Sequence, residues 1–548
     1  MTRRRHARIV GGITVAIGLL GTLVGAGAVG SSPGARDGGI FHITFHQPSG
    51  LNSIDPALAS SLPAWAVLDT TCARLLTYPD KPPPAAYRLE REVASSYTIS
   101  ADRKTYTFTL RSDFRFSDGT PVRASAFARA IYRTLDPRMQ SPGAQHTRDI
   151  VGAEEVLKGR KTTASGITAR ANRLIVRFKR PAPDFLHRTA TTFLCAVKPN
   201  LGTNPEGVSE LPAAGPYYVS EYRPGERVVL KRNRFYRGSR PHHVDGFEVD
   251  FKALSPQEVV QRVDRGDADW GYTTSGIYFD ANLGLVAKYG TTGPRFFDRP
   301  GFTLRILAFN SARPLFRDNP GLRKAVNLAL DRRAIINGSS GPLASVPTDQ
   351  YLPQSMPGFR NAGIYPLDRA DVTRARALAQ GNLRSRKAVL YTNSGAITMA
   401  LGQLVKRQLA EIGLDVDVVG VPLHTASNEY FSKLAAAGEP WDIALGLWQP
   451  SYVDPYAYLN QLFDAQYIGG TNFTRFGSTT FDRQMRQTAR MLQGGERKRA
   501  FGALDVRIAR EAAPVAAIDV LKEPTLVSER VGCVVLRPVL DLTAVCLK

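Results

Sequence analysis

The chain has 548 residues, too many for one hydrophobic core, so several domains are expected. An apolar fraction of 43% with 9% aromatic residues excludes a largely disordered chain. The formal charge of +23 comes from Arg and Lys spread along the whole length, with no zinc-finger spacing and no RNA-binding aromatic motif, so a solvated basic surface explains it better than nucleic-acid binding does.

At the N-terminus, Arg3, Arg4, Arg5 and Arg8 precede an uncharged run over residues 9–30. Basic, then apolar, then small residues is the order of a secretory signal, with Ala26-Gly27-Ala28 as a cleavage triplet. Uncleaved, the run is long enough to span a bilayer. Residues 1–30 are therefore expected to be a signal peptide or membrane anchor, and 31–39 a Ser/Gly/Pro-rich linker, on an exported chain. Folded sequence begins near Ile40, where Phe41, Ile43 and Phe45 alternate as a strand. A helix is expected over 63–75. Tyr106, Phe108 and Leu110 alternate with threonines, the mark of a half-buried strand, and Gly119 and Pro121 close the turn after it. Phe127, Ile131 and Leu135 then recur at helical spacing. Tyr217 and Val219 share a strand face, Arg223-Pro-Gly-Glu226 turns a hairpin, and Val228 and Leu230 return. Phe247, Val249 and Phe251 form the next strand. Ser255-Pro-Gln-Glu258 is a capping box that starts a helix ended by Gly266, before a strand near Trp270. This is a βαβ rhythm.

In the second half, 302–309 is an apolar strand and Asn319-Pro320 opens a helix. Ile397, Leu401, Leu404, Val405 and Ile412 make an amphipathic stripe stopped by Gly413, and Val416 and Val418 begin a strand. The stretch 441–462 is central. Residues 443–447 carry no charge and read as a buried strand. It breaks at Gln449-Pro450-Ser451, and Asp454-Pro455 caps a new helix. A rigid strand ending in an aromatic and polar loop is a common support for a ligand site. A helix over 496–510, a strand over 515–520 and an apolar C-terminal segment complete the chain.

Four cysteines fit an oxidising compartment. Cys533 and Cys546 flank an apolar segment containing Pro538, which suits a hairpin staple, and this leaves Cys72 with Cys195 as a long-range pair or as buried thiols. No Gly-x-Ser-x-Gly, His-Glu-x-x-His or P-loop motif occurs, so no enzyme, cofactor or metal is expected. His242 and His243 are adjacent, which on a strand would point them to opposite faces.

Taken together, YTFTLRSDFRFSDGTPV, GPYYV with RPGE and LKRNRFY, RKAVNLALDRRAII, and WDIALGLWQPSYVDPYAYLNQLF with NFTRF resemble the extracellular solute-binding proteins of family 5, which serve dipeptide and oligopeptide ABC importers. The resemblance covers nearly all of residues 40–520. It implies a two-lobed α/β, periplasmic-binding-protein-like fold (type II, cluster C) with an extra inserted small domain. One lobe would comprise 40–85, 211–300 and 510–548, the inserted domain 86–210, and the other lobe 301–509, with two crossover strands as a hinge. It also implies a monomer that binds peptides or peptide-like solutes between the lobes and delivers them to permease and ATPase subunits at the outer face of the membrane. Haem, nickel chelates, oligosaccharides, opines and signalling without transport are the alternatives. Carried over from the family, the ligand-binding candidates are Trp448, Gln449, Ser451, Tyr452 and Asp454. Peptide binders of the family hold the ligand's ammonium with an Asp in a Trp-x-x-Asp loop. Here that loop reads Trp448-Gln449-Pro450-Ser451, and a hydroxyl cannot neutralise a buried ammonium. Many relatives also carry a lipidated Cys after the apolar run, and none stands here before Cys72.

Overall fold

The structure is a computed structural model and describes residues 36–46, 51–83, 85–272, 279–291, 293–298, 300–339, 341–422, 429–491, 494–537 and 540–548. The expected signal or anchor at 1–30 and Pro538 lie outside the described residues. No helix among the described residues is long and apolar enough to cross a membrane. Of the expected linker, residues 36–39 are tied down: Arg36 N–H donates to Leu547 O at 2.8 Å and Gly38 N–H to His243 O at 2.7 Å.

The alternation at Phe41, Ile43 and Phe45 produces the strand Ile40–His46, with all three side chains fully buried. It runs parallel to Gly246–Ala253 on one side and to Trp270–Tyr272 on the other, and the hairpin Tyr217–Arg223 and Arg227–Arg232 completes a five-stranded sheet. Phe41 packs on Phe247 and Phe45 on Trp270. The crossover helix Pro256–Arg265 starts as its capping box requires, with Ser255 Oγ accepting from Glu258 N–H at 3.1 Å, and ends at Gly266 with φ +85°.

A second sheet, antiparallel and four-stranded, contains Ala94–Ile99, Thr105–Leu110, Arg173–Arg177 and Ile167–Arg170, packed on the helix Ala124–Leu135. It is joined to the first by a buried bidentate pair, Arg133 to Asp55 at 2.7 and 2.6 Å. Both anticipated cysteine pairs are disulfides, Cys72–Cys195 and Cys533–Cys546.

The third sheet runs Ser345–Pro347, Val515–Lys522, Pro300–Phe309, Ile443–Trp448, Lys387–Asn393 and Asp415–Val421. Its centre is apolar on both faces because separate cores cover it. Leu304, Ile306 and Ala308 enter one core, Leu307 and Phe309 the other. Leu447 departs from the expected buried strand: it is 44% exposed, opposite Arg305 at the strand's end rather than beneath an apolar layer.

Two antiparallel segments connect the first lobe to this sheet. Phe296–Phe297 pairs with Thr525–Leu526, Pro300 pairs with Lys522, and Lys522 Nζ donates to Asp298 Oδ2 at 2.8 Å between them. Val515–Lys522 is thus a strand of the third sheet. The boundary expected at 510 precedes it. His242 and His243 lie in a loop, not on a strand. Their Nδ1 atoms meet Arg240 O and Asp37 Oδ1 respectively.

Candidate ligand-binding cleft

A cavity of about 200 Å³ lies between the lobes. The first lobe contributes Leu62, Trp65 and Ala66 from the helix Leu62–Thr71, whose N-cap Ser61 accepts from Ala64 N–H with Pro63 in the first turn. Thr191, Thr192 and Phe193, which close the inserted segment beside Cys195, form a second wall. The loop Gln449 to Val453 faces them from the second lobe, beside Phe302. Of the candidates read from the sequence, Gln449, Ser451 and Tyr452 therefore line one cavity.

Trp448 and Asp454 sit elsewhere. The Trp448 indole donates to Ala457 O at 3.0 Å and borders a different hollow, with Phe431, Phe473 and Tyr467 of its own lobe and Arg148 of the inserted domain. Asp454 lies behind the loop, where it accepts two bonds from Arg497 at 2.6 and 2.8 Å and caps Tyr456 N–H at 2.9 Å. Burial alone would raise the Asp454 carboxyl, but the charges of Arg497 and His187 outweigh it and hold the group below the usual range.

The loop is held across the lobes by polar contacts. Tyr452 Oη donates to Asp184 Oδ2 at 2.8 Å, and Asp184 is clamped by Arg188 at 2.7 and 2.9 Å. Val453 N–H donates to Tyr78 Oη at 3.1 Å, Tyr78 Oη shares a bond with His187 Nδ1 at 2.8 Å, and His187 Nε2 stands 3.5 Å from Asp454 Oδ2. His146 packs edge-on to Tyr452 at 5.8 Å. Burial first, then Arg188, push its imidazole down to about 3, so it is neutral. Tyr452→Phe should remove one charge-assisted bond, about 1.5–3 kcal/mol, and favour an open cleft. Solution scattering should report a larger radius of gyration for the free variant; an unchanged radius would deny this bond a part in closure.

Several lining residues were missed by sequence reasoning. Asp69 is bonded by Arg74, Arg240 and Arg537, and although burial opposes it, those three charges hold its carboxyl far below the normal range. Glu523 lies on the returning crossover, half-buried; its carbonyl accepts from Thr525 Oγ1 at 3.3 Å, but its carboxyl makes no hydrogen bond or ion pair among the described residues. Burial pushes its carboxyl up to about 8. Its sequence signal is a lone acid between Lys522 and Pro524 at the end of an apolar strand, legible only if that strand is known to cross lobes. No group of three or more His, Cys, Asp or Glu among the described residues has metal-site geometry.

Residues 88–470 match the family model described as bacterial extracellular solute-binding proteins, family 5 middle. The chain is 23% identical over 442 residues to the probable D,D-dipeptide-binding periplasmic protein of Escherichia coli (strain K12), covering 76% of each chain. It is 24% identical over 420 residues to the oligopeptide-binding protein of Bacillus subtilis (strain 168), covering 73% of this chain and 74% of that protein. Among solved structures, the clavulanic acid biosynthesis oligopeptide binding protein 2 superposes with a TM-score of 0.85 at 22% identity, covering 94% of this chain and 96% of the other.

Proposed function

The chain belongs to the bacterial extracellular solute-binding proteins of family 5, and from that premise we propose that it captures short peptides in the interlobe cavity as the binding subunit of an ABC importer. The observation that carries this reading is a space lined at once by both lobes and a crossover. Walls that meet only when the lobes approach make closure and ligand burial one event, and burial strengthens each polar contact by excluding water. The cavity, about 200 Å³, is below the range of roughly 300–1,000 Å³ typical of small-molecule pockets, which favours dipeptides over long chains. The relatives named above are designated dipeptide- and oligopeptide-binding, in keeping with this ligand class.

The same reading assigns the protein to the cell envelope, with permease and ATPase subunits as partners and a role in binding rather than catalysis. Gln449, Ser451 and Tyr452 form the second lobe's contact with ligand; Trp448 and Asp454 support the loop from outside the cavity. A second reading, a non-peptide solute, draws on one observation: Ser451 offers no charge where peptide binders place a carboxylate.

The test is mass spectrometry of ligand retained through native purification, followed by thermal-shift titration of candidates. A di- or tripeptide at 100 times its Kd should stabilise the fold by about 2.7 kcal/mol. No shift with any peptide of two to five residues, together with a shift for a non-peptide solute, would replace the first reading by the second.

A further inference from the structure

We infer that Glu523 is the anchor for a cationic group of the ligand, an ammonium or guanidinium, which it meets from the hinge side of the cavity. This inference rests on the binding role proposed above and specifies the charge of what is bound.

Six ionisable side chains line the cavity: Asp69, Arg74, Tyr78, Tyr452, Glu523 and Arg537. Five are already committed. Asp69 is shared by Arg74 and Arg537 with Arg240 behind them, and Arg537 also reaches Asp541 at 3.1 Å. Tyr78 is engaged by His187 and by Val453 N–H, and Tyr452 by Asp184. The adjacent cation on the crossover, Lys522, is bound to Asp298. Glu523 alone has no counter-charge among the described residues.

Its placement is built into the crossover. The Glu523 side chain lies over the Cα of Gly301, where a Cβ would stand 2.8 Å from Glu523 Cγ and 2.8 Å from Leu521 O. Glycine on the outgoing crossover thus gives the acid room. A partly buried carboxylate without a partner is unfavourable when ionised, and the molecule leaves it so in the wall of a ligand space. A ligand cation removes that cost. Ser451 supplies no charge on the opposite wall, and the other lining carboxylate, Asp69, is held by three arginines, so Glu523 is the lining anion left for a ligand cation.

The consequence is proton-linked binding. Burial keeps the empty-state carboxyl protonated near neutrality, with a value of about 8, and an incoming cation displaces that proton. Binding at pH 7 should therefore release about one proton per ligand, and affinity should rise with pH up to about 8, where an α-ammonium itself begins to deprotonate.

Calorimetry of the full-length exported protein in two buffers of different ionisation enthalpy tests this, using Ala-Ala, its N-acetylated form, N-acetyl-Ala-Lys and free arginine. Glu523→Gln should weaken the cationic ligands by about 10- to 100-fold and abolish proton release. Ala-Ala binding while both acetylated peptides fail places the α-ammonium on Glu523; N-acetyl-Ala-Lys binding as well as Ala-Ala places a basic side chain there. Because the acid has no partner to lose, the ligand-free variant should melt no lower than wild type, and higher at pH 9. The sign follows from the raised carboxyl: its stabilising contribution is full below the unfolded value of about 4 and is lost as pH rises through about 8.

Ala-Ala bound equally by wild type and Glu523→Gln would overturn the inference and leave the peptide reading intact. Arginine bound through Glu523 with no peptide bound would overturn the peptide reading and leave the inference intact. Tight binding of uncharged solutes alone would overturn both.

Discussion

Arg497→Met should lower the stability of the fold by about 3–5 kcal/mol, because it strands an ionised carboxylate in a dry interior. Arg497 is 1% and Asp454 2% exposed by side chain, and their two bonds are short. Methionine keeps most of the volume and the packing on Phe501, so the loss isolates the charge rather than a cavity. His187 Nε2 stands 3.5 Å from Asp454 Oδ2, too long for a strong bond. The pH dependence separates this from a packing defect. In wild type the lowered Asp454 carboxyl contributes stability above its unfolded value of about 4, and that contribution is lost as pH falls through the folded value. The deficit of the variant should therefore be large at pH 7 and smaller at pH 4, because without Arg497 burial raises the stranded carboxyl and it protonates above its unfolded value. Urea unfolding at both pH values measures it; an equal deficit at each would assign the effect to packing. Because Asp454 stands next to the loop that carries Ser451 and Tyr452, ligand affinity should fall together with stability.

The second large effect concerns the disulfides. Loop-closure entropy grows with the logarithm of loop length, so Cys72–Cys195, spanning 123 residues, should contribute about 5 kcal/mol against about 3 for Cys533–Cys546, spanning 13. Replacing each pair by serines and comparing denaturant midpoints should thus show the long-range bond to be the costlier loss. It fixes the end of the cleft helix Leu62–Thr71 to the wall that carries Thr191 to Phe193, so its removal should also weaken ligand binding. A larger loss from the C-terminal pair would show that native packing, not chain entropy, dominates at these sites.

Much of the secondary structure was legible because its causes are local. Alternation at Phe41, Ile43 and Phe45, the capping box at Ser255, the N-cap at Asn319 and the stop at Gly413 each depend on residues within a few positions, and each formed as expected. Where local reading failed, a tertiary neighbour decided. Leu447 belongs to an apolar run yet is exposed, near the end of its strand and opposite Arg305. Asp454 was read both as a cap and as a ligand contact; it caps Tyr456, but its second oxygen is taken by Arg497, distant in sequence. Trp448 ends the strand but turns into a different hollow from the loop that follows it.

By itself the sequence determined the family and the two-lobed α/β fold, since both are carried by contiguous segments whose residue spacing sets their structure. Only the tertiary structure decided which side chains share the cavity. Thr191, Gln449, Glu523 and Arg537 lie far apart along the chain and meet through strand pairing and lobe packing, and whether a charge has a partner is a property of that meeting, not of its neighbours in sequence.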